Sequence, residues 1–411
     1  MVSSNPFLSP EFAIRWSQLA PALIAPAIEA ALARAEQTVK EIAALDADRL
    51  SFAHTFLALE QSTDELNLAW SKVTHLQSVA DSPELREAHN AMLPKVSAFY
   101  ASIPLNAALW QQLKTVAATP EAATLTGIHR RFLQETLADF RQAGADLPAE
   151  KRTRLEALQS ELAQLTQKYA EHVLDATNAW QLVVDDESRL AGLPAHAKAA
   201  ARRSAEAKGV AGWRFTLHMP SQEPFMTYLE DGGLRREMWT AAAALGARAP
   251  HDNTPLIGRI LALRAEKAAL LGKAHFADLV LERRMAKTGQ RALDFLNDLQ
   301  GRAAPAFARE CRELEEFKAQ RTGLPVARLA PWELAFWSEK LRQSRYDFDE
   351  EILRPYFPMD RVIAGLFELA QRVFGLRIVE RVAGNGETWH PEVKFYDLAD
   401  RAGRPLGSFY A

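Results

Sequence analysis

The sequence lacks most of the features that direct a protein to membranes, to secretion or to nucleic acid. Its single cysteine, Cys311, cannot form an internal disulfide, which favours a reduced cytoplasmic protein. Residues 1–7 have no basic and apolar secretion signal, and no apolar run approaches the roughly 20 residues that span a bilayer. The net charge of −3 offers no attraction for nucleic acid or anionic lipid. We therefore expect a cytoplasmic protein with no nucleic-acid partner and no membrane partner.

Motifs for nucleotide binding and for nucleophilic catalysis are also missing. The sequence contains no Gly-x-Ser-x-Gly elbow, no Gly-x-Gly-x-x-Gly and no Gly-Lys-Ser/Thr. Cys311 is spaced from Phe307 and Leu314 as a residue on the core face of a helix, which predicts an inert buried thiol.

The ten histidines do not form a helical zinc-binding pair. Such a pair needs histidines at i and i+4, so that both imidazoles point the same way, and no two of them have this spacing. His75 and His172 fall among apolar residues, which predicts packing roles. His251-Asp252 and His390-Pro391-Glu392 each place an acid beside a histidine in a predicted loop, a pattern that is common by chance. We therefore assign no catalytic, no cofactor-binding and no metal-binding residue to this chain.

Most of the chain has helical periodicity, and the predicted fold class is mainly α. The clearest helix covers residues 148–180, and the other predicted helices cover 21–44, 51–78 (one long or two short), 83–101, 256–271, 290–321 and 361–374. Weak strand signals occur at 179–184 and 213–219. The strongest are at 376–382, 392–398 and 405–410, with a hairpin loop predicted between the last two. A mainly helical protein thus begins a small sheet close to residue 411.

Several stretches, taken together, resemble the M3 family of zinc oligopeptidases, the thimet oligopeptidase-like enzymes. The strongest is Pro331-Trp332-Glu333-Leu334-Ala335-Phe336-Trp337-Ser338-Glu339-Lys340. It is followed in order by Leu353-Arg354-Pro355-Tyr356-Phe357-Pro358, Trp389-His390-Pro391-Glu392-Val393 and Gly407-Ser408-Phe409-Tyr410. The resemblance implies a two-lobed, neurolysin-like helical architecture around a channel, with a small β-sheet that is incomplete here. It also implies a helical N-terminal domain at 1–215 and the beginning of a catalytic domain at 216–411.

The resemblance further implies one zinc ion and short peptides as substrates. In the family, the two histidines of a His-Glu-x-x-His motif and a downstream Glu hold the zinc. All of these positions fall after the family's counterpart of Ala411. We therefore expect the full-length enzyme to be a cytoplasmic metalloendopeptidase, and a monomer. The 411 residues alone are expected to bind no zinc and to be catalytically inactive.

Other interpretations remain open at this point. The chain is also compatible with a non-catalytic helical module that binds peptides or a partner protein, or with one half of a split enzyme. If the chain ends at Ala411, we expect an unpaired sheet edge and exposed apolar surface, because later elements would cover both.

Overall fold

The computed structural model describes residues 5–346, 350–381 and 387–411 and is mainly α-helical. The helices are α1 Ile24–Ala43, α2 Ala58–Gln61, α3 Asp64–Val79, α4 Pro83–Leu105, α5 Ala107–Ala117, α6 Pro120–Thr124, α7 Gly127–Ala143, α8 Ala149–Ala179, α9 Ala195–Ala207, α10 Met219–Tyr228, α11 Gly232–Ala243, α12 Thr254–Leu270, α13 Phe276–Leu281, α14 Gly289–Thr322, α15 Leu334–Tyr346 and α16 Met359–Phe374. The strands are β1 Leu182–Val184, β2 Trp213–Phe215, β3 Arg377–Glu380, β4 Phe395–Ala399 and β5 Pro405–Tyr410. The predicted fold class is confirmed.

Local signals fix the ends of several helices. Ser82 caps α4 by accepting a hydrogen bond from the Leu85 amide, as Ser-Pro-Glu at a helix start predicts. Gly323 follows α14 with φ = 70° and Gly375 follows α16 with φ = 71°, a conformation that glycine adopts without steric cost. The predicted helix at 51–78 is divided into a π-helical turn at Ala53–Leu57 and the helices α2 and α3.

The chain divides into two compact units, and neither is continuous in sequence. The first comprises Met1–Gln164, Leu263–Leu279 and Met359–Ala411, and the second comprises Leu165–Ala262 and Val280–Pro358. No helix in the described part of the chain is long and apolar enough to cross a membrane. The boundary expected between residues 215 and 216 remains a prediction.

The first unit has its core between α1, α3, α4 and α5, where Phe7, Ile24, Leu66 and Leu109 are fully buried. Lys72 on α3 holds residues 7–9, which precede these helices, through hydrogen bonds. Its Nζ, in a side chain only 3% exposed, donates to the carbonyls of Phe7 at 2.9 Å and Ser9 at 2.8 Å. Burial lowers the pKa of Lys72, and the carbonyls supply the hydrogen bonds that a buried ammonium requires.

The second unit has its own core around the β1–β2 pair, α9, α10 and α11. Phe215 of β2 packs against Phe225 of α10, with ring centroids 4.7 Å apart. The buried Arg235 on α11 donates from Nε to the carbonyl of Trp332 at 3.2 Å. This bond ties the Pro-Trp-Glu-Leu-Ala-Phe-Trp segment to the core of the unit.

The prediction that Cys311 is buried is wrong. Cys311 is half-exposed, and no described residue of α14 is buried. Phe307, one turn before it, is 67% exposed. The spacing correctly indicates which residues share a helix face, but it cannot show whether another element covers that face. Here α15 is the principal packing partner of α14 and leaves the face open.

Candidate functional site at the C-terminal sheet

The three strands β3, β4 and β5 form an antiparallel sheet in that order. Asp400 shapes the loop between β4 and β5. Its Oδ1 accepts hydrogen bonds from the amides of Ala402 and Arg404, both at 2.9 Å, and its Oδ2 accepts one from Arg404 Nε at 2.7 Å. These donors stabilise the anion, so they lower the pKa of Asp400. Gly403 completes the turn with φ = 80°. The predicted hairpin is therefore confirmed, and its loop is held by one carboxylate.

Asp397 lies at the centre of the sheet and links all three strand regions. Arg381, directly after β3, donates to both of its carboxylate oxygens, at 2.8 and 2.5 Å. Ser408 Oγ of β5 donates to Oδ1 at 2.6 Å. The Arg381 hydrogen bonds, and then that of Ser408, lower the pKa of Asp397. This network holds β5 in register with its neighbours.

One face of the sheet packs on aromatic residues of the first unit. Tyr410 stacks on Phe395 with centroids 4.6 Å apart, and its Oη accepts a hydrogen bond from Trp16 Nε1 at 3.0 Å. His75 lies 4.2 Å from Trp389 and 5.0 Å from Trp16, ring centre to ring centre. Its Nε2 is buried with no hydrogen-bond partner among the described residues, and burial lowers the pKa of His75. The imidazole thus belongs to the packing of the sheet, as the sequence predicted.

The opposite face of the sheet packs against α16. Phe409 stacks on Tyr396 at 5.1 Å, and Phe367 of α16 meets Tyr396 edge-on at 5.0 Å. Because both faces are occupied, β5 is held on its two sides and along β4.

The outer edge of β5 carries backbone groups that the sheet does not use. Lys394 and Ala411 exchange both of their backbone hydrogen bonds, at 2.7 and 2.9 Å. Hydrogen-bonded and non-hydrogen-bonded pairs alternate along an antiparallel ladder, so Phe409 and Gly407 are also hydrogen-bonded to β4. Ser408 and Tyr410, which lie between them, direct their backbone N–H and C=O groups away from β4. No described strand pairs with this side of β5. An extended peptide can add to such an edge as a further strand.

Two regions of the chain match known protein families. Residues 225–411 match Peptidase family M3, and residues 24–152 match the neurolysin/thimet oligopeptidase N-terminal domain, so the two matches together span most of the chain. The chain belongs to peptidase family M3. The M3 match includes strand β5.

Three relatives show how much of an M3 protein is represented. The chain is 39% identical to oligopeptidase A of Haemophilus influenzae and 37% identical to that of Escherichia coli. It is 30% identical to a probable cytosolic oligopeptidase A of Arabidopsis thaliana. These alignments cover 99–100% of this chain but only 59–60% of each relative. The M3 chain described here therefore spans about 60% of the length of these relatives.

The histidines considered from the sequence form no metal-binding group in the described part of this M3 chain. No group of three or more His, Cys, Asp or Glu side chains is placed to hold a metal ion among the described residues. Asp252 accepts a hydrogen bond from the Thr254 amide, and His390 Nδ1 accepts one from the Glu392 amide at 3.2 Å. His172 lies beside His251, with ring centroids 5.8 Å apart.

Two buried polar residues were not singled out from the sequence. Asn253 is 2% exposed, and its Oδ1 lies 2.8 Å from His172 Nδ1. Arg235 is 3% exposed and lies over the Phe336 ring at 4.0 Å. Neither stands in a recognisable motif. Their partners are distant in the sequence, and only the folded structure brings them together.

Proposed function

We propose that this chain is part of a cytoplasmic, zinc-dependent oligopeptidase that hydrolyses short peptides. Among the described residues, β5 supplies a strand edge on which a peptide can lie. The M3 match through residue 411 carries the proposal, because it includes β5 with its outward N–H and C=O groups. The names of the relatives, oligopeptidase A and probable cytosolic oligopeptidase A, agree with the substrate class and the compartment.

The residues present do not fit the zinc ion that the family implies. The sequence has no His-Glu-x-x-His, and the described residues contain no group of side chains suited to a metal. This chain is therefore proposed to supply no chemical step itself. Its proposed part is to bind and orient the substrate, and the 411 residues alone are proposed to be catalytically inactive.

The orientation follows from the backbone of β5. An extended peptide that pairs with the free edge can exchange hydrogen bonds with Ser408 and Tyr410. Trp16 and Phe395 hold Tyr410 from one face, so the edge is fixed before the peptide arrives. A fixed strand lowers the ordering cost of binding and sets the register of the substrate backbone.

Amide hydrogen exchange resolved at single residues tests this proposal. Without peptide, the amides of Gly407, Phe409 and Ala411 should exchange slowly, because they are bonded to β4, while those of Ser408 and Tyr410 exchange fast. An unstructured peptide at saturating concentration should selectively slow hydrogen exchange at the amides of Ser408 and Tyr410. Unchanged exchange at both amides under saturation would exclude β5 as the binding edge.

A pair of variants separates the backbone of Ser408 from its side chain. Ser408→Pro removes the outward N–H without removing a hydrogen bond to β4, since proline is tolerated at an edge position. It should weaken peptide binding about tenfold, the effect of roughly one hydrogen bond. Ser408→Ala loses only the bond to Asp397 and should bind peptide nearly as the parent does. Equal affinities for Ser408→Pro and Ser408→Ala would contradict the assigned role.

A further inference from the structure

The second unit contains a cavity of about 680 Å³ that lies wholly within residues 176–251. The last turn of α8, one side of α11 and the loop at residues 245–251 line it. Its volume falls within the range of about 300–1,000 Å³ that is typical of small-molecule sites. No residue of the C-terminal sheet contributes to it.

Asn253 fixes the loop that forms one side of the cavity. Its backbone N–H donates to the Gly246 carbonyl at 2.7 Å, and its side-chain Nδ2 donates to the Tyr169 carbonyl at 3.1 Å. Because Oδ1 can only accept, the Nδ1 of His172, 2.8 Å away, carries the proton of that hydrogen bond. Gly246 has φ = 67°, and a Cβ there would lie only 2.8 Å from Asn253 Nδ2. The loop is therefore held in place by a buried side chain, and the cavity is preformed.

The lining of the cavity carries charges of both signs. Arg236 and Arg248 contribute guanidinium groups, and Glu237 contributes a carboxylate. Among the described residues, no ion pair joins Glu237 to either arginine. Arg236 lies over the Trp332 ring, with its Cζ 5.3 Å from the ring centre.

Two helix ends lie on the same lining. Ala179 is the last residue of α8, and Ala244 directly follows α11, and both line the cavity. Much of the remaining wall is alanine, including Ala176 and Ala241, and Trp180, Thr240 and His251 also line it. The cavity thus offers guanidinium groups for an anion, the Glu237 carboxylate for a cation, and apolar surface.

We propose that this cavity binds a short peptide with free termini. The carboxylate pairs with Arg236 and Arg248, the ammonium group faces Glu237, and small side chains lie on the alanine residues of the wall. The inference goes beyond the proposed function and does not depend on it, because the site requires neither catalysis nor β5.

Calorimetric titration of the 411-residue chain with trialanine tests the proposal. Trialanine should bind, and N-acetyl-trialanine amide, which lacks both terminal charges, should bind at least tenfold more weakly. Arg248→Ala and Glu237→Gln should each weaken trialanine binding about tenfold, the effect of one charge-assisted hydrogen bond. Arg203→Ala, which removes an exposed arginine of α9 outside the cavity, is the matched control and should bind as the parent does.

The outcomes separate this site from β5. Ser408→Pro should leave trialanine binding unchanged, because Ser408 does not line the cavity. The proposal is overturned if trialanine does not bind, if the blocked peptide binds equally well, or if Arg248→Ala and Glu237→Gln both retain the parent affinity. Loss of trialanine binding in Ser408→Pro would also overturn it, since the peptide would then occupy β5.

Discussion

Arg235→Ala is expected to lower the free energy of unfolding of the second unit by about 3 to 5 kcal/mol. The guanidinium donates to the carbonyls of Leu229, Glu230 and Trp332 and lies 4.0 Å from the Phe336 ring centre. Burial lowers the pKa of Arg235, yet an arginine remains charged in proteins. The alanine variant leaves the buried Leu229 carbonyl without this donor and creates a cavity beneath Phe336. Urea unfolding followed by tryptophan fluorescence, through the nearby Trp332 and Trp239, measures the loss.

Two further variants make this result specific. Arg235→Lys keeps the charge but not the planar set of donors, so its free energy of unfolding should fall between those of the parent and the alanine variant. Arg236→Ala, at the exposed neighbouring position, loses only its contact with Trp332. It should lower the free energy of unfolding by less than about 1 kcal/mol. A loss below about 1 kcal/mol for Arg235→Ala would mean that the unit does not depend on these carbonyl contacts.

The double variant Leu366→Lys/Val373→Lys is expected to weaken self-association of the 411-residue chain by at least about tenfold. Val362, Leu366, Leu369 and Val373 recur on one side of α16 and are 44–60% exposed. Phe367, on another side of the helix, already packs on the sheet. An amphipathic helix that leaves its apolar side in water tends to bury it against another surface. Sedimentation velocity over a range of concentrations measures the association.

A charge-matched variant provides the control. Glu368→Gln/Gln371→Lys changes the net charge of α16 by the same amount, but at exposed polar positions, and should associate like the parent. If the parent is monodisperse and monomeric at high concentration, the apolar side of α16 is not an association surface, and this expectation is wrong.

The local structure of this chain could largely be predicted from its sequence. Residues 148–180 predicted one helix and α8 covers Ala149–Ala179, because the apolar stripe and the strong helix formers agree there. The strand prediction at 405–410 coincides with β5. The prediction at 376–382 contains β3, although Val382 lies outside the described residues. Caps, glycine ends and turn residues act over a few positions, so the sequence displays them directly.

The burial and long-range contacts of individual residues were harder to predict from the sequence. The helical spacing of Cys311 indicated a core face, but burial depends on a partner element that periodicity cannot show. Asn253 reaches Tyr169 and His172, more than 80 positions away, and Arg235 reaches Trp332 across 97 positions. Such contacts arise from chain topology, which is why these buried polar residues resembled ordinary surface residues in the sequence.

The candidate site shows the same division. The sequence predicted the strand that forms the β5 edge and its hairpin loop, since both rest on local patterns. It could not show which amides face outward, because that depends on the register between β4 and β5. The sequence contains no His-Glu-x-x-His, the metal-binding motif that the M3 resemblance implies, so no catalytic residue was predicted from it.

Zinc content and peptide hydrolysis, measured together on the purified 411-residue chain, test the central proposal most directly. After equilibration with zinc and removal of excess metal, the chain should retain no stoichiometric zinc and should not cleave an internally quenched short peptide. The same peptide should still slow exchange at Ser408 and Tyr410. One tightly held zinc ion per chain together with chelator-sensitive cleavage would contradict the account, because the metal site would then lie within these residues.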